Sequence, residues 1–201
     1  MSLIQFPGRH RQAHAPILAL VDLQKEYVSE GRAFSIGKAD NCLANCRRLL
    51  AAARERGLPV AHFRQLLSGP FFNESTEFSR WIDEFRPMPS EMVYQRSMPS
   101  CYQNEFFCTF MEAMAEPVVL LAGFTADHAC LSTVIDAVHR GHRVAFIQDA
   151  SASQSLGSRT AHDSHAFMTD LISEYCEVIS TQEALDRFTH ADPKRWQAMG
   201  E

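Results

Sequence analysis

No stretch of this sequence is apolar for long enough to cross a membrane. The longest candidates, Ala15–Val21 and Pro117–Ala122, fall far short of the ~20 residues a spanning helix requires. Nor is there a run of Lys or Arg. Nineteen basic residues face 24 acidic ones, for a net charge of −5, which excludes a general phosphate-backbone binder because that binding needs clustered cations. The opening residues, MSLIQFPGRHRQAHAP, lack the apolar core of a secretory signal, so a cytoplasmic chain is expected. None of the six cysteines forms a C-x-x-C pair, and the nine histidines supply only the isolated pairs His139/His142 and His162/His165. A structural zinc site needs four ligands, so no metal is expected, and no cofactor either. G-x-S-x-G, G-x-G-x-x-G and Walker loops are all missing; the nucleophile-elbow, dinucleotide and NTPase readings lose their main support.

What is present is an ordinary globular composition, 46% apolar and 21% charged over 201 residues. That is enough for one domain burying roughly 70% of its unfolded surface. Residues 1–201 read as one such domain, with 1–14 as an extended N-terminal segment. Apolar runs of strand length alternate with helical patterns, the sequence form of βαβ units and a parallel sheet covered on both faces. Strands are expected at Ala15–Leu23, Pro59–Arg64, Met92–Arg96, Pro117–Phe124, Arg143–Ile147 and Glu177–Ser180. The first helix is expected at Lys38–Arg56, closed by Gly57. The second is Asn104–Met114, capped by Asn104, with Phe106, Phe107, Phe110, Met111 and Met114 on its apolar face. Leu131–Arg140, Ser158–Tyr175 and Thr181–Phe188 follow, the last capped by Thr181. Residues 66–90 carry Gly69, Pro70, Pro87 and Pro89 without a sustained period, and read as a long surface excursion.

In an open parallel sheet, ligands bind beyond the carboxyl ends of the strands. Three places leave strand ends: Asp22-Leu23-Gln24, Arg96, and Phe124–Cys130. Asp22 interrupts an apolar run, and partial desolvation there suits a carboxylate to proton transfer, although a turn cap is an equal reading. Arg96 alone reads as a surface ion pair. Cys130 stands near a helix start, where amide groups favour a thiolate and a developing oxyanion; the competing reading is a small buried hydrophobe. Of the other thiols, Cys42 and Cys46 share a helix face, Cys108 and Cys176 follow core patterns, and Cys101 falls in a loop. His128 and Cys130 are too close in sequence at a turn to point at each other.

Three segments taken together resemble the isochorismatase-like hydrolase superfamily, which includes the nicotinamidase-type cysteine hydrolases and the isochorismatases. They are V-D-L-Q-K-E-Y (Val21–Tyr27), R-S-M-P-S-C-Y (Arg96–Tyr102), and G-F-T-A-D-H-A-C-L-S-T-V-I-D-A (Gly123–Ala137) followed by G-H-R-V-A-F-I-Q-D-A (Gly141–Ala150). The resemblance implies a Rossmann-like three-layer α/β/α fold with a mostly parallel six-stranded sheet, a small-molecule substrate and a homo-oligomer of two or more copies. It implies an Asp, Lys and Cys catalytic set, with a cis peptide ahead of the Cys. Asp22 matches the Asp. Arg96 stands where Lys is usual, and a guanidinium can hold charge but is a poor proton shuttle. Counted without a gap, the nucleophile position falls on Ala129, one residue before Cys130. At 3.6 residues per turn that offset rotates a side chain by ~100°.

Three readings follow. In the first, Asp22 moves the proton, Arg96 holds charge, Cys130 attacks an amide or related C–N bond, and the backbone amides of Ala129 and Cys130 receive the oxyanion. Gln24, Tyr27, Tyr102, Phe124 and Thr125 line the pocket. In the second, Asp22 works without a thiol on a vinyl ether. In the third, the chain is catalytically silent and binds a small molecule or a partner.

Overall fold

The computed structural model describes residues 16–37, 39–114 and 117–190. Its centre is a six-stranded sheet in the order β3-β2-β1-β4-β5-β6. The strands are β1 (Ile17–Val21), β2 (Val60–Gln65), β3 (Met92–Arg96), β4 (Val118–Phe124), β5 (Arg143–Ala152) and β6 (Glu177–Ile179). Every pairing is parallel. The near-continuous apolar strands make this possible, since a sheet buried on both faces has no side for polar residues. Helices α1 (Asp40–Glu55) and α5 (Thr181–His190) cover one face; α2 (Glu105–Ala113), α3 (Leu131–His139) and α4 (Ala161–Ser173) cover the other. The three-layer α/β/α reading holds, and among the described residues no antiparallel strand joins the sheet.

Strand order reverses between β1 and β4, so the crevice beyond their carboxyl ends is the expected ligand position. Gly123 is required there. Its φ is +110°, and a Cβ would lie 2.1 Å from the Val21 carbonyl oxygen.

Several local expectations are corrected. Ala15 and residues 1–14 lie outside the described residues, as does Lys38. The fifth strand runs on to Ala152, because Ser151 and Ala152 pair with Gly123 and Phe124 beyond a register shift. The fourth helix, α4, begins at Ala161 rather than Ser158, where the Thr160 hydroxyl accepts from the Asp163 N–H. Ser180, not Thr181, caps α5: its hydroxyl accepts from the Glu183 N–H while Glu183 returns to the Ser180 N–H, a capping box. Thr181 is instead buried against Asp149. On α2 the Asn104 cap forms as expected, and Phe107 and Met111 are buried, but Phe106 is 81% exposed. Cys108 and Cys176 are half-buried at the edge of the core.

The 66–90 excursion is not a free surface loop. Phe72 and Phe85 sink into the core beside α1, each worth roughly 1.5–3 kcal/mol when fully buried. Two short 3-10 turns, Glu77–Ser79 and Asp83–Phe85, give it local structure. Backbone bonds tie it to the chain just after β1, from Lys25 N–H to Arg80 O and from Ile82 N–H to Leu23 O.

Candidate active site

Asp22 directly follows β1, and its φ of +51° turns the chain out of the sheet; Asp is among the few residues that tolerate this region. β3 ends at Arg96. One strand, β2, separates them, so their backbones are about 10 Å apart. Only a long side chain closes that gap. Arg96 Nη2 donates to Asp22 Oδ2, and Nη1 donates to the Met98 carbonyl at 2.6 Å. Both side chains are fully buried.

The pair is not saturated. Asp22 Oδ1 and Arg96 Nε have no hydrogen-bond partner among the described residues. A buried polar atom without a partner costs about 1–3 kcal/mol, so one at each end of an ion pair calls for a ligand or water. Burial drives the Asp22 carboxyl up to about 6, against the pull of the Arg96 charge and hydrogen bond. The carboxyl therefore changes protonation near neutrality, as a proton-transfer group must.

The third strand end carries two unusual features. The Phe124–Thr125 peptide is cis. Then Ala126–Cys130 form a single π-turn before α3 begins at Leu131. The extra residue shows in its bonds: Cys130 N–H reaches five residues back to the Thr125 carbonyl at 3.0 Å. This corrects the expected oxyanion role of the Cys130 amide, because its hydrogen is already taken by Thr125. Cys130 and Ala129 are both fully buried on the α3 side of the sheet. Burial, then the Cys101 and Asp22 charges, keep the Cys130 thiol well above the usual thiol range, with Arg96 pulling the other way. The expected helix-start thiolate is thus a neutral thiol at rest. His128 is exposed while Cys130 is buried, so the two point in opposite directions.

The expected pocket residues divide. Tyr27 packs on Phe124 and Phe72, with ring centres 5.4 and 5.2 Å away. Its hydroxyl feels Asp22, Arg96, Asp127 and Cys130, although burial is the main cause of its raised pKa. Tyr27 therefore lies between Phe124 and the Asp22 charge, and Thr125 is buried just past the cis peptide. Gln24 is buried but already engaged: its Nε2 donates to the Gln65 and Ser79 carbonyls, and its Oε1 accepts from the Gln65 N–H. Its amide laces β2 and the excursion to β1 and leaves no donor for a substrate. Tyr102 is elsewhere. It bonds to His142 Nδ1 at 2.9 Å and lines an open groove of about 470 Å³ with Met98, Ser132, Asp136 and Arg140.

Two residues enter the site that sequence reasoning passes over. Cys101, expected as a loop thiol, is buried in a 3-10 turn with its N–H on Thr133 Oγ1; burial pushes its thiol up to about 12, against Arg96. Asp127 leaves Oδ1 buried without a partner among the described residues. For Cys101 the available signal was its place five residues after Arg96. Nothing local marked Asp127.

A family model described as the Isochorismatase domain matches residues 16–183. The chain is 26% identical over 177 residues to the uncharacterized isochorismatase family protein YddQ of Bacillus subtilis, covering 84% of this chain and 97% of that protein. It is 20% identical over 191 residues to maleamate amidohydrolase of Pseudomonas putida, covering 87% of each. Among solved structures, an isochorismatase from Pseudomonas putida KT2440 superimposes with a TM-score of 0.78 at 27% identity, covering 87% of this chain and 93% of that one. The family model spans most of the chain and the fold agrees with it: the chain belongs to the isochorismatase family of hydrolases.

Proposed function

We propose that the chain hydrolyses a carbon–nitrogen bond of a small amide. The observation that carries this is the buried Asp22–Arg96 pair at the sheet's switch point, with Asp22 pushed up to about 6 and its Oδ1 free. Similarity to maleamate amidohydrolase supports the amide class. Asp22 takes the Cys130 thiol proton as sulfur bonds to the carbonyl carbon. The C–N bond then breaks, and Asp22 returns the proton to the leaving nitrogen. Water releases the acyl group by the same exchange. The thiol holds its proton more tightly than the Asp22 carboxylate can, so proton transfer has to accompany sulfur–carbon bond formation. Arg96 keeps Asp22 ionised in a dry site without exchanging protons itself.

A second reading has specific support. Ala129 occupies the gapless nucleophile register, and the Cys130 amide is spent on Thr125. In that reading protonated Asp22 donates to the carbon of a vinyl ether, and water adds to the resulting oxocarbenium and returns a proton to Asp22. The hemiacetal or hemiketal formed then breaks its ether C–O bond to give a carbonyl compound and an alcohol. The two separate on turnover of an amide and a vinyl-ether panel by Cys130→Ala and Asp22→Asn. Loss of amide turnover in both variants supports the first reading. Undiminished turnover in Cys130→Ala with loss in Asp22→Asn selects the second.

A further inference from the structure

The Asp22 reading leaves unused a serine–histidine contact at the same end of the sheet. His165 on α4 places Nε2 2.8 Å from the Gln148 carbonyl. A carbonyl only accepts, so Nε2 carries the hydrogen and Nδ1 has the free lone pair. Nδ1 faces the Ser153 hydroxyl at 3.4 Å. Ser153 is the first residue past β5, whose last residue, Ala152, pairs with Phe124 at the cis peptide. The π-turn packs on both β5 and α4.

We propose that Ser153 and His165, oriented by the Gln148 carbonyl, form a second nucleophile–base pair that takes electrophilic acyl or phosphonyl groups. A hydroxyl within reach of a base that a third group orients is the arrangement activated nucleophiles share, and the contact is commonly loose before a ligand arrives. It has nothing to do with a nucleophile elbow, since Ser153 leaves a strand end without one. The Ser153 oxygen bonds to the electrophilic carbon or phosphorus as its proton passes to Nδ1. The leaving group departs with that proton, or as fluoride from a phosphonofluoridate. On an acyl group, water then repeats the exchange and frees the serine. The imidazolium formed is held by Gln148 through Nε2–H, and Asp127 lies close enough to favour its charge while His162 opposes it. Burial lowers the His165 pKa, so at neutral pH the ring is the base the step needs. Nearby Ser151 is buried too, but its hydroxyl has no partner among the described residues and so no base.

The test is labelling of the full chain with a biotinylated fluorophosphonate and mapping of the adduct by peptide mass spectrometry. An adduct on Ser153 is expected, unchanged in Ser151→Ala. It should be lost in Ser153→Ala and slowed about 100-fold or more in His165→Gln, the scale of a removed general base. Absence of label on Ser153, equal labelling of Ser151, or a rate indifferent to His165→Gln overturns the pair. Should His165→Gln fail to fold, the pH dependence of wild-type labelling decides. Labelling that falls on acidification below the usual histidine range is expected, and a flat profile contradicts the pair. Amide turnover is read in parallel. Absent label with turnover still dependent on Asp22 removes only the Ser153 proposal; label present with turnover indifferent to Asp22→Asn removes only the Asp22 reading.

Discussion

Two of the carboxylates withdrawn from water, Asp22 and Glu91, are treated in opposite ways. Glu91 accepts from Arg54 Nε and Nη2, from the Met88 N–H and from His62 Nε2. Burial raises its pKa, but the Arg54 hydrogen bonds, the Met88 amide and the neighbouring charges outweigh this and leave it below the usual value. Asp22 has Arg96 and the Gln65 backbone, its Oδ1 has no partner within bonding distance among the described residues, and burial wins. A saturated buried carboxylate is a fixed charge; an unsaturated one near pH 6 can exchange a proton. Glu91 therefore reads as the latch that holds the start of β3 to α1, and Asp22 as the reactive group.

The largest effect expected from breaking this contrast is chemical. Asp22→Asn should lower amide turnover about 10²–10⁴-fold, the range for a lost general acid–base group, whereas Glu91→Gln should leave turnover within a few-fold; steady-state kinetics on both variants check this. Next is Arg96→Met, which strands the Asp22 charge. It should cost about 3–5 kcal/mol at pH 8, the scale for breaking a buried pair, and clearly less at pH 5, where Asp22 is neutral. Urea unfolding at the two pH values measures it.

Glu91→Gln should cost less, about 1–3 kcal/mol, by removing the charge and turning one of the two acceptor oxygens into an NH2 that faces the Arg54, His62 and Met88 donors. The sign of its pH dependence is fixed by the lowered folded pKa values. The Glu91 contribution is present above its unfolded value of 4.5 and lost as pH falls through the folded value, and that of His62 is likewise lost below its unfolded 6.5. Asp22 runs the other way: its contribution is present below 3.8 and lost as pH rises through about 6. Without the Glu91 charge and hydrogen bond that hold it up, the His62 pKa falls further, so the loss of stability between pH 6.5 and 4.5 should grow in Glu91→Gln, as thermal melts from pH 4 to 8 will show. The smallest effect is expected for Gln24→Leu, about 1–2 kcal/mol, since it strands the Gln65 amide and the Ser79 carbonyl. Hydrogen exchange should rise over residues 66–90 more than in the sheet.

The same contrast explains how far the sequence could be read. Asp22 was visible because it follows an apolar strand buried on both faces, and Arg96 because it ends a strand, although β3 is a half-exposed edge strand. The contact between them, 74 residues apart, follows once strand order is known. The π-turn was not visible. It depends on one extra residue in a turn, and Ala126–Cys130 have no pattern that separates it from an α-helical start. The polar end of β5 was missed because Gln148 and Asp149 face out before Ala150 and Ser151 turn in. The excursion read as surface because Phe72 and Phe85 are isolated aromatics with no period. One of its anchors is the Ser79 backbone carbonyl, held by Gln24 across 55 residues.

The claim on which everything else depends is that burial outweighs Arg96 at Asp22, so that its carboxyl exchanges a proton near pH 6. A carbon-13 NMR titration of the aspartate and glutamate carboxyls, assigned with Asp22→Asn and Glu91→Gln, tests it directly. The account predicts that Asp22 titrates at about 6 and Glu91 below 4.5. An Asp22 midpoint below 4 would mean that Arg96 dominates burial, and would contradict it.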